Sequence, residues 1–173
     1  MRRVRYLVAA SLDGFIAGPS GEADWIPMDP EVDFEAIFSQ FDTIFAGRRT
    51  FENMARTGMT NMPGMKTFVF SRTVRAEDYP NVTMVDGSAE EAASRLRAES
   101  GKDIWLFGGG SLFCSLAEAG LVDTVEVSMV PILLGEGIPL LAGPAKRMGL
   151  KLTGHKVYKT GIVCLEYEIP RMA

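Results

Sequence analysis

The sequence holds a single histidine, His155, and only two cysteines, Cys114 and Cys164, in 173 residues. Neither cysteine lies near the histidine along the chain, so metal-ligand spacing and a Ser/His or Cys/His triad are both unsupported. Two isolated thiols in apolar surroundings read as reduced and buried rather than as a disulfide, which suits a reducing compartment. Basic residues are not in excess. The net charge of −4 gives a nucleic-acid partner no electrostatic support. No apolar run is long enough to span a bilayer. Arg2, Arg3 and Arg5 before Tyr6-Leu7-Val8-Ala9-Ala10 have the outline of a secretory signal, but Arg5 interrupts it and Asp13-Gly14 cut the apolar run short. Repeats, low-complexity tracts and interdomain linkers are also missing. The expectation is one soluble, cytoplasmic domain over residues 1–173, with no metal and no membrane contact.

Apolar residues make up 47% of the chain and charged residues 23%, ordinary for a domain with a sizeable core. The most informative stretch is Asp103-Ile-Trp-Leu-Phe-Gly-Gly-Gly-Ser-Leu-Phe113. Ile104 to Phe107 read as a strand buried on both faces, and Leu112, Phe113, Leu116 and Ala117 fall on one helical stripe that stops at Gly120. Strand, glycine turn and helix make an arrangement that can cradle a phosphate, because a backbone without side chains can be approached and a helix start offers free N–H groups. As a motif it is weak, since Phe113 stands where Gly-x-Gly-x-x-Gly needs its last glycine. The triplet alone fits a tight turn as well as a nucleotide site.

Along the chain, Val4 to Ala10 read as a first buried strand, followed by a long glycine-studded excursion through Trp25. Asp29-Pro30 predict a helix N-cap, and Phe34, Ile37, Phe38 and Phe41 predict a helix from about Pro30 to Gln40. Thr43 to Ala46, Thr67 to Phe70 and Val82 to Val85 are strands, with a short helix near Phe51 to Arg56. Ser88 and Glu91 predict a capping box for a helix through Ala98. Thr124 to Val130 form a long strand, and Leu150 to Tyr158 with Ile162 to Ile169 a terminal hairpin. Strands alternating with helices and closing in a hairpin predict an α/β fold, a mostly parallel sheet with antiparallel strands at its edge.

Three predicted strand ends carry similar punctuation: Gly47-Arg48-Arg49-Thr50, Ser71-Arg72-Thr73 and Gly108-Gly109-Gly110-Ser111. Ligands of open α/β sheets settle over the carboxyl ends of the strands. Two ends offer guanidinium groups for phosphate oxygens and one offers bare backbone. A diphosphate with an extra monophosphate satisfies all three, and NADP(H) is the economical choice.

These segments, with Ala9-Ala10 and Ser11-Leu12-Asp13-Gly14-Phe15-Ile16-Ala17, resemble the dihydrofolate-reductase-like superfamily. Pro131-Ile132-Leu133-Leu134-Gly135-Glu136-Gly137 is closer to its branch containing the riboflavin-biosynthesis pyrimidine reductase domain and related small bacterial proteins. The resemblance implies a three-layer sandwich around the central sheet, and NADPH bound across the sheet end. The nicotinamide would lie near Ala10, Ile16 and the glycine triplet, with Ser111 and Leu112 at the following helix start. Gly47, Arg48, Arg49 and Thr50 would serve the phosphates, Ser71 and Arg72 the adenosine 2′-phosphate. A cis peptide between Gly108 and Gly109 is also implied. The expected chemistry is hydride transfer to a C=N or C=O bond of a small pterin-like or pyrimidine-like heterocycle.

On the substrate side, Asp33 is the candidate carboxylate, although it lies farther beyond Trp25 than the family spacing. A solvated helix N-terminal acid reads equally well there. Ile37, one turn along, could flank a ring, and Trp25 and Ser128 are further candidate contacts. Met65 stands where folate enzymes carry an arginine for the glutamate tail, so dihydrofolate is a poor fit. Reduction of the ribosylaminopyrimidinone phosphate of riboflavin synthesis needs a second phosphate site for which no arginine cluster is evident. A non-catalytic NADP-binding module is the other alternative. The exposed edge of the terminal hairpin predicts a homodimer.

Overall fold

A computed structural model describes residues 1–60, 62–142 and 146–170. The chain alternates strands and helices: β1 (Val4–Ser11), β2 (Phe15–Ala17), α1 (Phe34–Phe38), β3 (Phe41–Gly47), α2 (Arg48–Arg56), β4 (Lys66–Phe70), β5 (Val82–Val85), α3 (Ala89–Ala98), β6 (Asp103–Gly108), α4 (Gly110–Glu118) and β7 (Thr124–Val130). Then follow β8 (Ile138–Pro139), β9 (Lys151–Val157) and β10 (Val163–Glu168). The main sheet has eight strands in the order β5-β4-β3-β6-β1-β7-β10-β9. Strands β5 to β7 in that order are parallel, and the β9–β10 hairpin adds to β7 in antiparallel fashion. The predicted mixed sheet is therefore the observed one.

Helices cover both faces. Phe45 points into a core with Tyr6, Ile104 and Leu106 under Leu96 of α3 and Leu112, Phe113 and Leu116 of α4. Its neighbour Ala46 points the other way, onto Phe51 and Met54 of α2. Three buried or half-buried ion pairs close the ends of the sheet: Arg97 with Asp123, Arg5 with Glu126, and Arg2 with Asp42.

The structure departs from the expected elements at three places. The predicted Pro30–Gln40 helix shrinks to Phe34–Phe38, capped by Asp33, whose Oδ1 accepts from Ala36 N–H at 2.8 Å. Asp29 is not the cap. It is buried and accepts from Glu31 N–H at 2.7 Å and from the Thr160 hydroxyl at 2.6 Å, which holds the segment before α1 against the hairpin turn. The 3.6-residue spacing ran too far because Phe41, the last of its apolar residues, is the first residue of β3. Second, Phe15–Ala17 do not merely continue a loop, but pair with Ile138–Pro139 as a small second sheet. Third, the Gly108–Gly109 peptide is trans. The chain turns there through Gly109 at φ +93°, a conformation that glycine adopts without strain.

Candidate functional site

Strands β4, β3 and β6 are consecutive and parallel, so their carboxyl ends lie side by side at one end of the molecule. All three punctuated segments are thereby brought together. The helix after β3 packs on one face of the sheet and the helix after β6 on the other. Adjacent parallel strands whose helices diverge leave a crevice between their tips, the place where open α/β sheets hold ligands.

The crevice floor is backbone. A Cβ placed on Gly47 would lie 3.8 Å from Gly108 O and 3.9 Å from Gly109 Cα, so the two glycine tips are in close apposition. Thr50 sits over the same bend, its Oγ1 3.4 and 3.5 Å from where Cβ atoms on Gly108 and Gly109 would stand. Gly110 answers a different need. A Cβ there would come within 2.7 Å of Ala142 N, because the segment after β8 passes directly against the start of α4.

The helix caps divide sharply. α1 and α3 are closed by side chains, Asp33 and Ser88. α2 and α4 begin at Gly47 and Gly109, with no side-chain cap. The two helices that start in the crevice thus present uncapped N–H groups and the positive ends of their dipoles. Around them stand the arginines. Arg48 donates weakly to the Thr73 hydroxyl at 3.3 Å and lies 3.5 Å from Glu52, all exposed. Among the described residues, Arg49 and Arg72 are exposed and make no ion pair or side-chain hydrogen bond. The Ser71 hydroxyl accepts from Thr73 and Val74 N–H at 3.2 and 3.1 Å, which shapes the turn that carries Arg72. Ser111 is exposed on the first turn of α4, while Leu112 is buried in the core. Ala10 is also fully buried on the α4 side of the sheet, and Ile16 is half-buried in β2.

The expected substrate residues share the opposite, α2-side face. Ser128 pairs with Ala9 on one side and Cys164 on the other, and its Oγ lies 3.0 Å from Cys164 Sγ. Trp25 packs with Val32, Val130 and Tyr158 at one end of this strip, and its indole N–H donates to Glu22 O at 3.3 Å. Ile37 packs with Phe41, Ile44 and Trp105 at the other end. Asp33 is exposed at the rim, with one oxygen committed to its cap. Leu7, Ala9, Phe107 and Cys164 are half-buried members of the same strip that the sequence reading passed over. The alternation of strand residues about Ser128 and Trp105 was the signal for them.

Two loops bordering the site are tied down. The Asp13 carboxylate accepts from the Ser11 hydroxyl at 2.6 Å and from Leu134 and Gly135 N–H at 3.1 and 2.8 Å. These bonds, that from Ser11 first, hold its pKa below the ordinary aspartate value. From the other side, Asn53 and Arg56 of α2 donate to Gly21 O and Ser20 O at 2.9 and 2.8 Å, fixing the segment that leads to Trp25. A separate hollow of about 360 Å³ lies at the amino ends of the strands beside Arg2, Asp42 and Lys66. Its buried arginine is already spent on Asp42, Thr43 and Lys102 O.

The architecture now has a counterpart among known families. The model of the RibD C-terminal domain matches residues 2–164. The chain belongs to the RibD C-terminal domain family. Within reach of it is the uncharacterized protein YyaP of Bacillus subtilis (strain 168), 36% identical over 178 residues that cover 96% of this chain and 94% of that one. Among solved structures, a protein of Shewanella sp. PV-4 named for riboflavin biosynthesis superposes with a TM-score of 0.80 at 27% identity, covering 99% of this chain and 100% of its own. Dihydrofolate reductase from Enterococcus faecalis, complexed with NADP(H), shares the fold at a TM-score of 0.68 and 21% identity, over 96% of this chain and 94% of its own. The RibD branch expected from the sequence is thus the observed family, and the dihydrofolate-reductase-like fold expected with it is the observed fold.

Proposed function

We propose that this RibD C-terminal family member is an NADPH-dependent reductase of a small planar heterocycle without a phosphate group. The observation that carries the cofactor assignment is the pair of uncapped helix starts, α2 and α4, facing one crevice beside the unpaired Arg49 and Arg72. A dinucleotide phosphate fits this set. The N–H groups of the α2 start, with Arg48, Arg49 and Thr50, would hold the diphosphate, and Arg72 on the turn shaped by Ser71 the 2′-phosphate. The close apposition of Gly47, Gly108 and Gly109 would let a flat ring approach the backbone. When bound, NADPH supplies the hydride.

The chain's own residues would orient the acceptor. The half-buried strip of Leu7, Ala9 and Phe107, flanked by Trp25 and Ile37, offers apolar surface for a ring, and Ser128 a hydroxyl to its edge. Asp33 at the rim is the proposed proton source. A phosphorylated acceptor such as the ribosylaminouracil phosphate of riboflavin synthesis is favoured by family membership. It is disfavoured by the cations on this side. Arg5 is committed to Glu126, Lys159 to Glu31, Arg56 to Ser20 O, and Lys156 lies over the Tyr158 ring.

The deciding experiment is titration with NADPH and NADH followed by nicotinamide fluorescence, then an acceptor screen with and without phosphate. Tight NADPH with much weaker NADH, and oxidation by an unphosphorylated heterocycle, is the expected result. Equal affinities would remove Arg72 from its role. NADPH binding without oxidation by any acceptor would leave a non-catalytic binding module.

A further inference from the structure

Both tryptophans of the chain stand on the α2-side strip, Trp25 in the cluster with Val130 and Tyr158, and Trp105 in that with Phe41 and Ile44. Leu7, Ala9 and Phe107 give the strip its apolar floor, and one pair of side chains interrupts it. Cys164 lies directly opposite Ser128 where β10 pairs with β7, and Ser128 lies beside Ala9 of β1. Side chains paired across neighbouring strands share a face, and Cys164 packs with Ala9 and Trp25. The nearest charges are engaged elsewhere. Glu126, two residues before Ser128 on the same face, holds Arg5 through both oxygens at 2.7 Å. Lys156, opposite Cys164 on β9, lies over the Tyr158 ring with its Nζ 4.4 Å from the centroid. The hydroxyl and the thiol are left to each other. Their Oγ–Sγ contact of 3.0 Å uses one donor and one acceptor, and either atom can be the donor. Among the described residues, neither side chain has another hydrogen-bond partner. A hydroxyl carries one donor and two acceptor sites, and a thiol a weak donor and a weak acceptor. Whichever way the shared proton points, one donor and at least one acceptor remain, on adjacent atoms.

We propose that Ser128 and Cys164 act as one unit that selects the acceptor by its ring edge, taking an edge that sets a donor beside an acceptor, such as the N–H and C=O of a lactam. Cys164 is the specificity-determining residue in this unit. It supplies the second contact and holds the Ser128 hydroxyl in one of two settings. The inference rests on the reading of this strip as the seat of the acceptor. A serine alone would take a donor or an acceptor indifferently, because its hydroxyl rotates freely. A carboxylate or phosphate edge, which only accepts, would set its oxygens against the remaining acceptor of the pair.

Lumazine, a flat ring system with lactam edges, and dimethyllumazine, in which the lactam N–H groups are methylated, are the probes. Quenching of Trp25 and Trp105 reads occupancy of the strip on the full chain, without NADPH and again with it, and circular dichroism confirms folding. Wild type is expected to bind lumazine about tenfold more tightly than dimethyllumazine. Ser128→Ala and Cys164→Val should each weaken lumazine about tenfold, and S128A/C164V little further, since either loss dissolves the unit. Dimethyllumazine should be indifferent to all three. Valine keeps the packing of Cys164 and serine its hydrogen bond, so Cys164→Ser should bind lumazine within about twofold of wild type. Lumazine that quenches neither tryptophan at millimolar concentration would overturn the proposal, as would equal affinity for the two probes. So would a Cys164→Val that binds lumazine like wild type, or a Cys164→Ser as weak as Cys164→Val, which would leave Cys164 a packing residue. The expected pattern without NADPH oxidation by any acceptor would overturn the reductase reading and leave the edge selection in place.

Discussion

Asp13 accepts a hydrogen bond from the backbone N–H of Gly135 at 2.8 Å, joining residues 122 positions apart in sequence. With the bonds from Leu134 N–H and the Ser11 hydroxyl, this carboxylate pins the loop after β7 to the turn after β1. Both segments leave neighbouring strands, so a single side chain sets the spacing of two walls of the site. An aspartate before glycine reads from sequence as a turn residue, and here it is one that also serves a distant loop.

Asp13→Ala removes the acceptor for both amides. Backbone exchange at Leu134 and Gly135 is expected to accelerate about tenfold or more, while the sheet amides of β1 and β7 keep their protection. Hydrogen exchange resolved by residue checks this. Unchanged exchange at Leu134 and Gly135 would mean that the loop is held by its own packing.

Among the described residues Arg72 and Arg49 have no partner, so replacing either leaves no orphaned group there and little stability should be lost. If Arg72 serves the 2′-phosphate, Arg72→Gln weakens NADPH by about ten- to a hundredfold, the value of a charge-assisted hydrogen bond, and leaves NADH unchanged. Arg49→Gln should instead weaken both cofactors alike, since both carry the diphosphate. The two fluorescence titrations separate these roles, and identical behaviour of the two variants would reject the division.

Asp33 has two candidate duties, and asparagine separates them. An N-cap asparagine accepts from the helix N–H about as well as aspartate, so Asp33→Asn should preserve α1. A lost proton source should cost a hundredfold or more in turnover. Asp33→Ala should in addition lower stability by about 1 kcal/mol through the lost cap. Undiminished turnover of Asp33→Asn would leave Asp33 as a cap alone.

The sheet was legible because its strands are bounded by charges and glycines and are uniformly apolar, as Ile104 to Phe107 are. The crevice was legible for a related reason, since the punctuation of Gly47-Arg48-Arg49 and Gly108-Gly109-Gly110 falls at strand ends wherever those strands sit. What depended on partners far along the chain was hidden. Nothing near Asp29 announces Thr160, and nothing near Phe15 announces Ile138, so an N-cap and a loop were the local best readings. The glycine bend shows the limit from another side. Three consecutive glycines permit several turns, and only the close passage of Ala142 against Gly110 and the φ of Gly109 decide which is built.

The Asp29–Thr160 bond carries a pH signature with a definite sign. Its pKa lies below the ordinary aspartate value, first through the Thr160 hydroxyl and then through Glu31 N–H. A carboxylate depressed on folding stabilises the native state above its unfolded pKa of about 3.9. That stabilisation is lost as the pH falls through the lower, folded value. Thr160→Val deletes the leading donor and should return Asp29 toward its ordinary value. Thermal melts of wild type and Thr160→Val should therefore differ at pH 5 to 7 and converge as the pH falls through the lowered folded value, below which Asp29 is protonated in both folded and unfolded chains. A gap of constant size from pH 7 down to the acid unfolding of the chain would show that Thr160 acts through packing and leaves the carboxylate untouched.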